Sequence, residues 1–199
     1  FVNQNGGIFF STPFSRAAVI RIKKMDLPVI KIGSGECNNL PLVEMVAALG
    51  IKSFAIEGFE ADDIVAQYVR HATGPTYVVS GDRDLFQLVD DERQISVLYL
   101  GTGVAKHSLV NNRYIEERFG IRADQYAHFS VLRGDASDGL PGVRGIGEKT
   151  AASLLREFGD LQSIQSAARF EQSTLKPKIR QALLEHEDYL RRACQVVIL

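Results

Sequence analysis

The sequence predicts an α/β domain, a parallel sheet with flanking helices, followed by a helical subdomain built around a helix–hairpin–helix. Three observations predict it. Between residues 7 and 101, short β-branched runs alternate with stretches of helical spacing, the pattern of strands joined by crossover helices. Beyond Asn111 the strand-like runs stop and helical spacing takes over. Residues 134–155, GDASDGLPGVRGIGEKTAASLL, place a glycine-rich, proline-punctuated turn directly before a helical stretch.

Each element has its own warrant. GIFFST (7–12) is a short apolar strand, and FSRAAVIRIKKM (14–25) has helical spacing with a basic face. PVIKIGSG (28–35) is β-branched and closes on glycines, a buried strand and its loop. LPLVEMVAALG (40–50) is an apolar helix ended by a glycine cap. The strand IKSFAIEG (51–58) and the helix EADDIVAQYVRHA (60–72) follow. TYVVSGDRD (76–84) runs from strand into acidic loop, DLFQLV (84–89) is a helical turn, and QISVLYLG (94–101) is a further strand. Helices are expected at 111–119, 124–133, 147–158, 160–169 and 175–193.

A chain of 199 residues with 45% hydrophobic and 24% charged content suits one soluble domain or two small ones. No apolar run approaches the ~20 residues that span a bilayer. No signal-peptide pattern opens the sequence, so a cytoplasmic location is expected. Cys37 and Cys194 match no metal or redox spacing, and the histidines at 71, 107, 128 and 186 are scattered. Net charge is −1, but unevenly spread: 57–138 holds 14 acidic and 8 basic residues, whereas 139–199 holds 7 and 9. An acidic middle beside a slightly basic tail suits a metal centre next to a polyanion-binding surface, although uneven solvated faces produce the same count.

Three acidic clusters carry the candidate chemistry. Glu60, Asp62 and Asp63 open a helix, where acids also favour the helix dipole. Asp82 and Asp84 follow a buried strand at its carboxyl end, the edge where open α/β sheets place ligands. A D-x-D alternation there points both carboxylates the same way, and either acid could instead cap a helix. Asp135 and Asp138 lie three apart, so a helical turn would set them on one side. Seven carboxylates this close in sequence call for cations between them. Hard ions such as Mg²⁺ or Mn²⁺ prefer oxygen ligands, and two of them can activate a water and stabilise the leaving oxygen of a phosphodiester. No Ser–His or Cys–His arrangement competes.

The loop that follows supplies a phosphate grip. Gly142, Gly145 and Gly147 permit a tight turn and close backbone approach. The N–H groups of 145–149, including that of Ile146, lie at a helix start, and Lys149 and Thr150 follow. Contacts of this kind hold phosphate without base specificity.

GFEADD, VVSGDRDLFQLV, LRGDASDGLPGVRGIGEKTA and LLREFGDL resemble the 5′-nuclease family: the 5′–3′ exonuclease domain of bacterial DNA polymerase I and stand-alone flap endonucleases. The resemblance covers about 46–199. It implies a PIN/5′-nuclease-like fold and a metal-dependent 5′–3′ exonuclease or flap endonuclease acting on DNA. It implies metal ligation by Glu60, Asp62, Asp63, Asp82, Asp84, Asp135 and Asp138, with catalysis centred on Asp82, Asp84, Asp135 and Asp138. It also implies duplex binding by Gly142, Gly145, Ile146, Gly147, Lys149 and Thr150, with K⁺ at the hairpin. The implied partners are duplex DNA with a 5′ end or flap and a DNA polymerase, with no membrane and the chain itself a monomer.

Residues 8–47, IFFSTPFSRAAVIRIKKMDLPVIKIGSGECNNLPLVEMVA, differ. The family's first metal-binding aspartates and helical arch are not visible in 1–45. This stretch instead resembles a β-α-β-α fragment of N-acetylneuraminate (sialic acid) synthase. Lys31 and Ser34 match residues that contact phosphoenolpyruvate in that family. The expected organisation is therefore 1–45 as the synthase-like segment, 46–110 as the nuclease α/β core portion and 111–199 as the helical DNA-binding region. The alternative reading is a catalytically impaired duplex-binding module, or a chimera carrying a synthase fragment.

Overall fold

The computed structural model describes residues 10–11, 16–24, 29–30, 40–48, 56–101 and 106–199. Lys31, Ser34, Cys37 and most of the expected strand 51–58 lie outside the described residues. The chain divides into two compact units, 1–111 and 112–199.

The first unit contains β1 (Phe10–Ser11), α1 (Arg16–Lys24), β2 (Val29–Ile30), α2 (Leu40–Ala48), α3 (Ala61–Arg70), β3 (Thr76–Ser80), β4 (Ile95–Tyr99) and β5 (Ser108–Val110), with a 3-10 turn at Asp84–Leu88. β1 and β2 pair in parallel, Phe10 opposite Val29. β3 and β4 pair in parallel from Thr76–Ile95 to Ser80–Tyr99. Cα atoms of β1 come within 8 Å of β3. Among the described residues the strand–helix alternation is thus realised as two small sheets, β1–β2 and β3–β4–β5, with helices along the chain between their strands. One strand modifies the expected picture: β5 joins β4 antiparallel, Val97 opposite Val110, so the sheet is mixed.

Why these residues form this layer follows from burial. β3 buries Thr76, Val78, Val79 and Ser80 and leaves Tyr77 half-covered, the profile of a strand packed on both faces. Val65, Ala66 and Val69 form the buried stripe of α3, at helical spacing. Leu85 and Phe86 of the 3-10 turn are buried, and Phe86 meets Tyr99 edge-on at 5.2 Å. Arg93 braces the end of α3: its guanidinium donates to the carbonyls of Val69 at 2.9 Å, which also accepts from Ala72 N–H, and Arg70 at 3.0 Å.

The second unit is helical: α4 (Asn112–Phe119), α5 (Tyr126–Arg133), α6 (Glu148–Phe158), α7 (Leu161–Arg169), α8 (Pro177–Glu185) and α9 (Glu187–Val197). α5 is the centre, with Tyr126, Ala127, Phe129, Ser130, Val131 and Leu132 buried, and it packs on α6 and α9. Gln125, itself buried, donates its amide N–H groups to the carbonyls of Leu155 at 2.9 Å and Gly159 at 2.7 Å, satisfying the end of α6. Asp160 caps α7 through Ser163 N–H at 2.7 Å. The helix expected at 175–193 is two helices, parted at His186, which leaves helical geometry at φ −104° and ψ 15°. Among the described residues no helix is long and apolar enough to cross a membrane.

Candidate functional site

In the first unit, Glu60 is the N-cap of α3, and its N–H donates to the Asp63 carboxylate at 2.9 Å, closing a capping box. Asp62 and Asp63 are half-buried in the first turn; Glu60 is exposed. The acids at the end of β3 are also held by local bonds. Asp82 N–H donates to the Ser80 hydroxyl at 3.1 Å, and Asp84 N–H donates to the Asp82 carboxylate at 3.0 Å. The chain therefore turns at Asp82 instead of continuing extended, and Asp84 opens the 3-10 turn. That departs from the expected strand-like alternation: the Asp82 side chain bends back onto its own chain, as a cap does. α3 and this 3-10 turn are neighbours, so five of the seven candidate acids belong to two adjoining segments. Arg83, between the two aspartates, donates to the Tyr99 hydroxyl at 3.0 Å.

The other two acids lie in the second unit, on the loop between α5 and α6. Asp135 and Leu140 exchange backbone bonds, N–H to carbonyl, at 3.0 and 2.8 Å. This closes 135–140 into a loop, where a helical turn was expected, with Asp135 half-buried and Asp138 exposed near its tip. One Asp135 oxygen takes Arg133 at 2.8 Å; the other accepts from the N–H of Ser137 at 3.1 Å and from its hydroxyl. Arg133 also donates to Glu148 at 3.1 Å and to the Gly134 carbonyl at 3.0 Å, and lies over the Phe129 ring at 5.2 Å.

The base of this loop is backbone packed on backbone. Gly134 and Gly142 have φ of +86° and +70°, and a Cβ on Gly142 would sit 2.5 Å from the Arg133 carbonyl oxygen. Gly142 N–H donates to the Tyr189 hydroxyl at 3.1 Å, which donates to the Val131 carbonyl at 2.9 Å. Tyr189 of α9 thus pins the turn to α5, and burial raises its hydroxyl pKa. Ile146 is 3% exposed and its N–H donates to the Val143 carbonyl, so it anchors the turn from inside. Gly145 and Gly147 are exposed, with nothing within 4 Å of where a Cβ would stand. Gly147 is the N-cap of α6, so the helix's first N–H groups, which have no intrahelical partner, begin beside bare backbone. Lys149 is exposed there and Thr150 half-buried. Gly142 and Ile146 therefore build the turn, while Gly145, Gly147, Lys149 and Thr150 surround its open face. Arg133, Glu148 and Tyr189 join the site without having been singled out by the sequence.

Among the described residues no three His, Cys, Asp or Glu side chains gather as a metal cage. The donor set still fits a hard cation in kind, because every candidate is a carboxylate. Mg²⁺ keeps several waters and is commonly held by one or two carboxylates together with substrate phosphates.

This fold, an α/β core followed by a helical unit, is that of the 5′ nucleases. The structure of bacteriophage T5 flap endonuclease in a pseudo-enzyme–product complex with DNA and metal ions matches it with a TM-score of 0.68 at 20% identity, over 94% of this chain and 88% of that one. The chain belongs to the 5′–3′ exonuclease family: the model of its N-terminal resolvase-like domain matches 38–120, and that of its C-terminal SAM fold matches 121–199. A 5′–3′ exonuclease of Streptomyces coelicolor is 50% identical over 159 residues, covering 79% of this chain and 53% of the relative. The thermostable DNA polymerase I of Thermus aquaticus is 38% identical over 151 residues, 74% of this chain and 17% of the polymerase. The chain thus spans about half the length of the exonuclease relative. The NeuB family model matches residues 1–71, overlapping the nuclease match from residue 38.

Proposed function

We propose that this chain is a metal-dependent 5′–3′ exonuclease or flap endonuclease that hydrolyses DNA phosphodiesters while a helix–hairpin–helix holds the duplex. The observation that carries this is the 134–149 segment. One turn, its base packed backbone on backbone, holds an oriented carboxylate, Asp135, at its start and an open, glycine-lined helix N-terminus with Lys149 at its end. A carboxylate that meets a cation and a backbone that meets a phosphate are thereby fixed to one another.

Glu60, Asp62, Asp63, Asp82, Asp84, Asp135 and Asp138 would hold two divalent cations, Mg²⁺ or Mn²⁺. When bound, such ions supply an activated water and neutralise the departing oxygen. Asp82 follows the buried strand β3 and Asp84 opens the 3-10 turn after it, and Asp135 is oriented by Arg133 and Ser137. Gly145, Gly147, Lys149 and Thr150 would take the duplex backbone, with K⁺ at the turn. On this reading 1–45 is a β-α-β-α segment, 46–110 the nuclease core portion and 111–199 the DNA-binding region. The substrate is duplex DNA with a 5′ end or flap. A DNA polymerase is the natural partner, since the Thermus relative is itself a DNA polymerase I.

The test is cleavage of a 5′-labelled flap duplex in Mg²⁺ or Mn²⁺, with binding followed in Ca²⁺. Asp82→Ala and Asp135→Ala should each lower the cutting rate at least a hundredfold, about 2.7 kcal/mol of transition-state stabilisation, while duplex binding persists. Undiminished cutting by both variants would remove the acids from the mechanism.

A further inference from the structure

We propose that Arg133 is a positioning residue that couples cation occupancy at Asp135 to the grip of α6 on a phosphate, acting through Glu148. The proposal rests on the nuclease reading above and adds a wiring between its two halves.

The guanidinium is engaged on all three nitrogens. One terminal nitrogen donates to Asp135 at 2.8 Å, the other to Glu148 at 3.1 Å, and Nε donates to the Gly134 carbonyl at 3.0 Å. The ring of Phe129, itself fully buried, backs it at 5.2 Å. The Arg133 side chain is 15% exposed and that of Asp135 21%, whereas that of Glu148 is 65% exposed. A planar fork held at this many points has little freedom to leave, and a lysine could not span both carboxylates while keeping the third bond. The arginine is therefore shared, more firmly with Asp135 than with Glu148, as the shorter distance and deeper burial of that pair indicate.

Sharing has a consequence for charge. Glu148 is the first residue of α6, directly after the N-cap Gly147 and directly before Lys149. A carboxylate there favours the helix dipole, but it opposes an incoming phosphate at the same N–H groups. While Arg133 serves Asp135, Glu148 keeps much of its negative charge. A divalent cation on Asp135 takes over that carboxylate's neutralisation. The guanidinium's charge then falls to Glu148, and the start of α6 becomes more receptive to phosphate. The coupling is reciprocal by thermodynamic necessity: phosphate at α6 must raise cation affinity at Asp135 by the same factor.

The experiment measures anisotropy of a labelled 5′-overhang duplex at constant ionic strength, in EDTA and in Ca²⁺, for wild type, Glu148→Gln and Arg133→Lys. A Mg²⁺ cleavage assay is run alongside. The quantity read is the factor by which Ca²⁺ raises duplex affinity. Glu148→Gln, an exposed change that leaves the Arg133–Asp135 pair intact, should bind about threefold tighter in EDTA and show a smaller Ca²⁺ factor. Arg133→Lys should reduce the factor about fivefold while its thermal unfolding stays cooperative. A structural role alone would shift both conditions together and leave the factor unchanged. An unaltered Ca²⁺ factor in both variants, beside a wild type that binds and cuts, overturns the coupling and leaves the nuclease reading standing. A wild type that neither binds duplex nor cuts overturns both. If Arg133→Lys does not fold, Glu148→Gln alone decides: unchanged affinity in EDTA and an unchanged factor overturn the proposal.

Discussion

Gly142 and Gly145 both sit at positive φ, +70° and +86°, yet their surroundings make opposite demands. At 142 a methyl group would meet the Arg133 carbonyl oxygen at 2.5 Å and Gly134 nitrogen at 2.7 Å, both backbone atoms that cannot swing aside. At 145 it would meet nothing within 4 Å. Gly145→Ala should therefore cost only the conformational term, about 1–2 kcal/mol. Gly142→Ala adds forced separation of two chain segments and should cost at least about 3 kcal/mol. Urea unfolding of the two variants checks this, and equal losses would mean that the loop base is not close-packed. The same contrast assigns the glycines their work: 142 makes the turn possible, and 145 leaves its outer face bare.

At the scale of elements, α5 governs the second unit, and one of its residues gives that unit a pH dependence. His128 is partly buried, with its Nδ1 lacking a hydrogen-bond partner among the described residues. Burial pushes its pKa below 6.5, outweighing the opposite pull of Asp160 and Asp124. Between that folded value and 6.5 the unfolded chain binds more protons, so stability rises with pH through this window and is complete above it. Asp160, lowered chiefly by the Ser163 N–H, acts the same way only in a more acidic window, below the usual carboxylate value of 3.8. Melting temperature should thus fall as pH is taken below 6.5, and His128→Gln should flatten that fall. An identical pH profile for the variant would remove His128 as its source.

The elements also show what the sequence could carry. The helix at 60–72, the strands at 76–80 and 94–101 and the glycine turn before α6 are local patterns, and each lies where its spacing put it, within a residue or two at the ends. β5 is three residues long, and nothing in SLV specifies an antiparallel partner; the pairing with β4 is a tertiary choice. The break at His186 has no glycine or proline to announce it. The acids were legible as clusters, but how they are held was only partly so. Asp63 and Asp82 bond within three residues, as caps do, whereas Arg133 reaches Glu148 across 15 residues and Tyr189 reaches Gly142 across 47. Such pairs exist only once the helices have packed, so no spacing rule exposes them.

Across the whole molecule, charge offers little general attraction for DNA. Residues 112–199 hold thirteen basic and twelve acidic side chains, and 1–111 hold ten and twelve. Several arginines of the second unit are already bridged to acids, Arg113 to Glu117, Arg122 to Asp124, Arg169 to Glu187, and Arg191 and Arg192 to Asp188. With charge near balance and these arginines bridged, the proposed duplex grip rests on a few placed contacts. Each cation that neutralises a phosphate releases condensed counterions and contributes about 0.9 to the slope of log affinity against log salt. The total slope should therefore be shallow, and any one contact a large share of it. Lys149→Ala should lower affinity uniformly across duplex sequences and flatten the slope by about 0.9, because a phosphate contact carries no base information. Titration of two unrelated duplexes across a range of NaCl concentrations measures both effects. A weakened variant with an unchanged slope would mean that Lys149 supports the turn without touching phosphate. A loss confined to one duplex would mean that it reads bases instead.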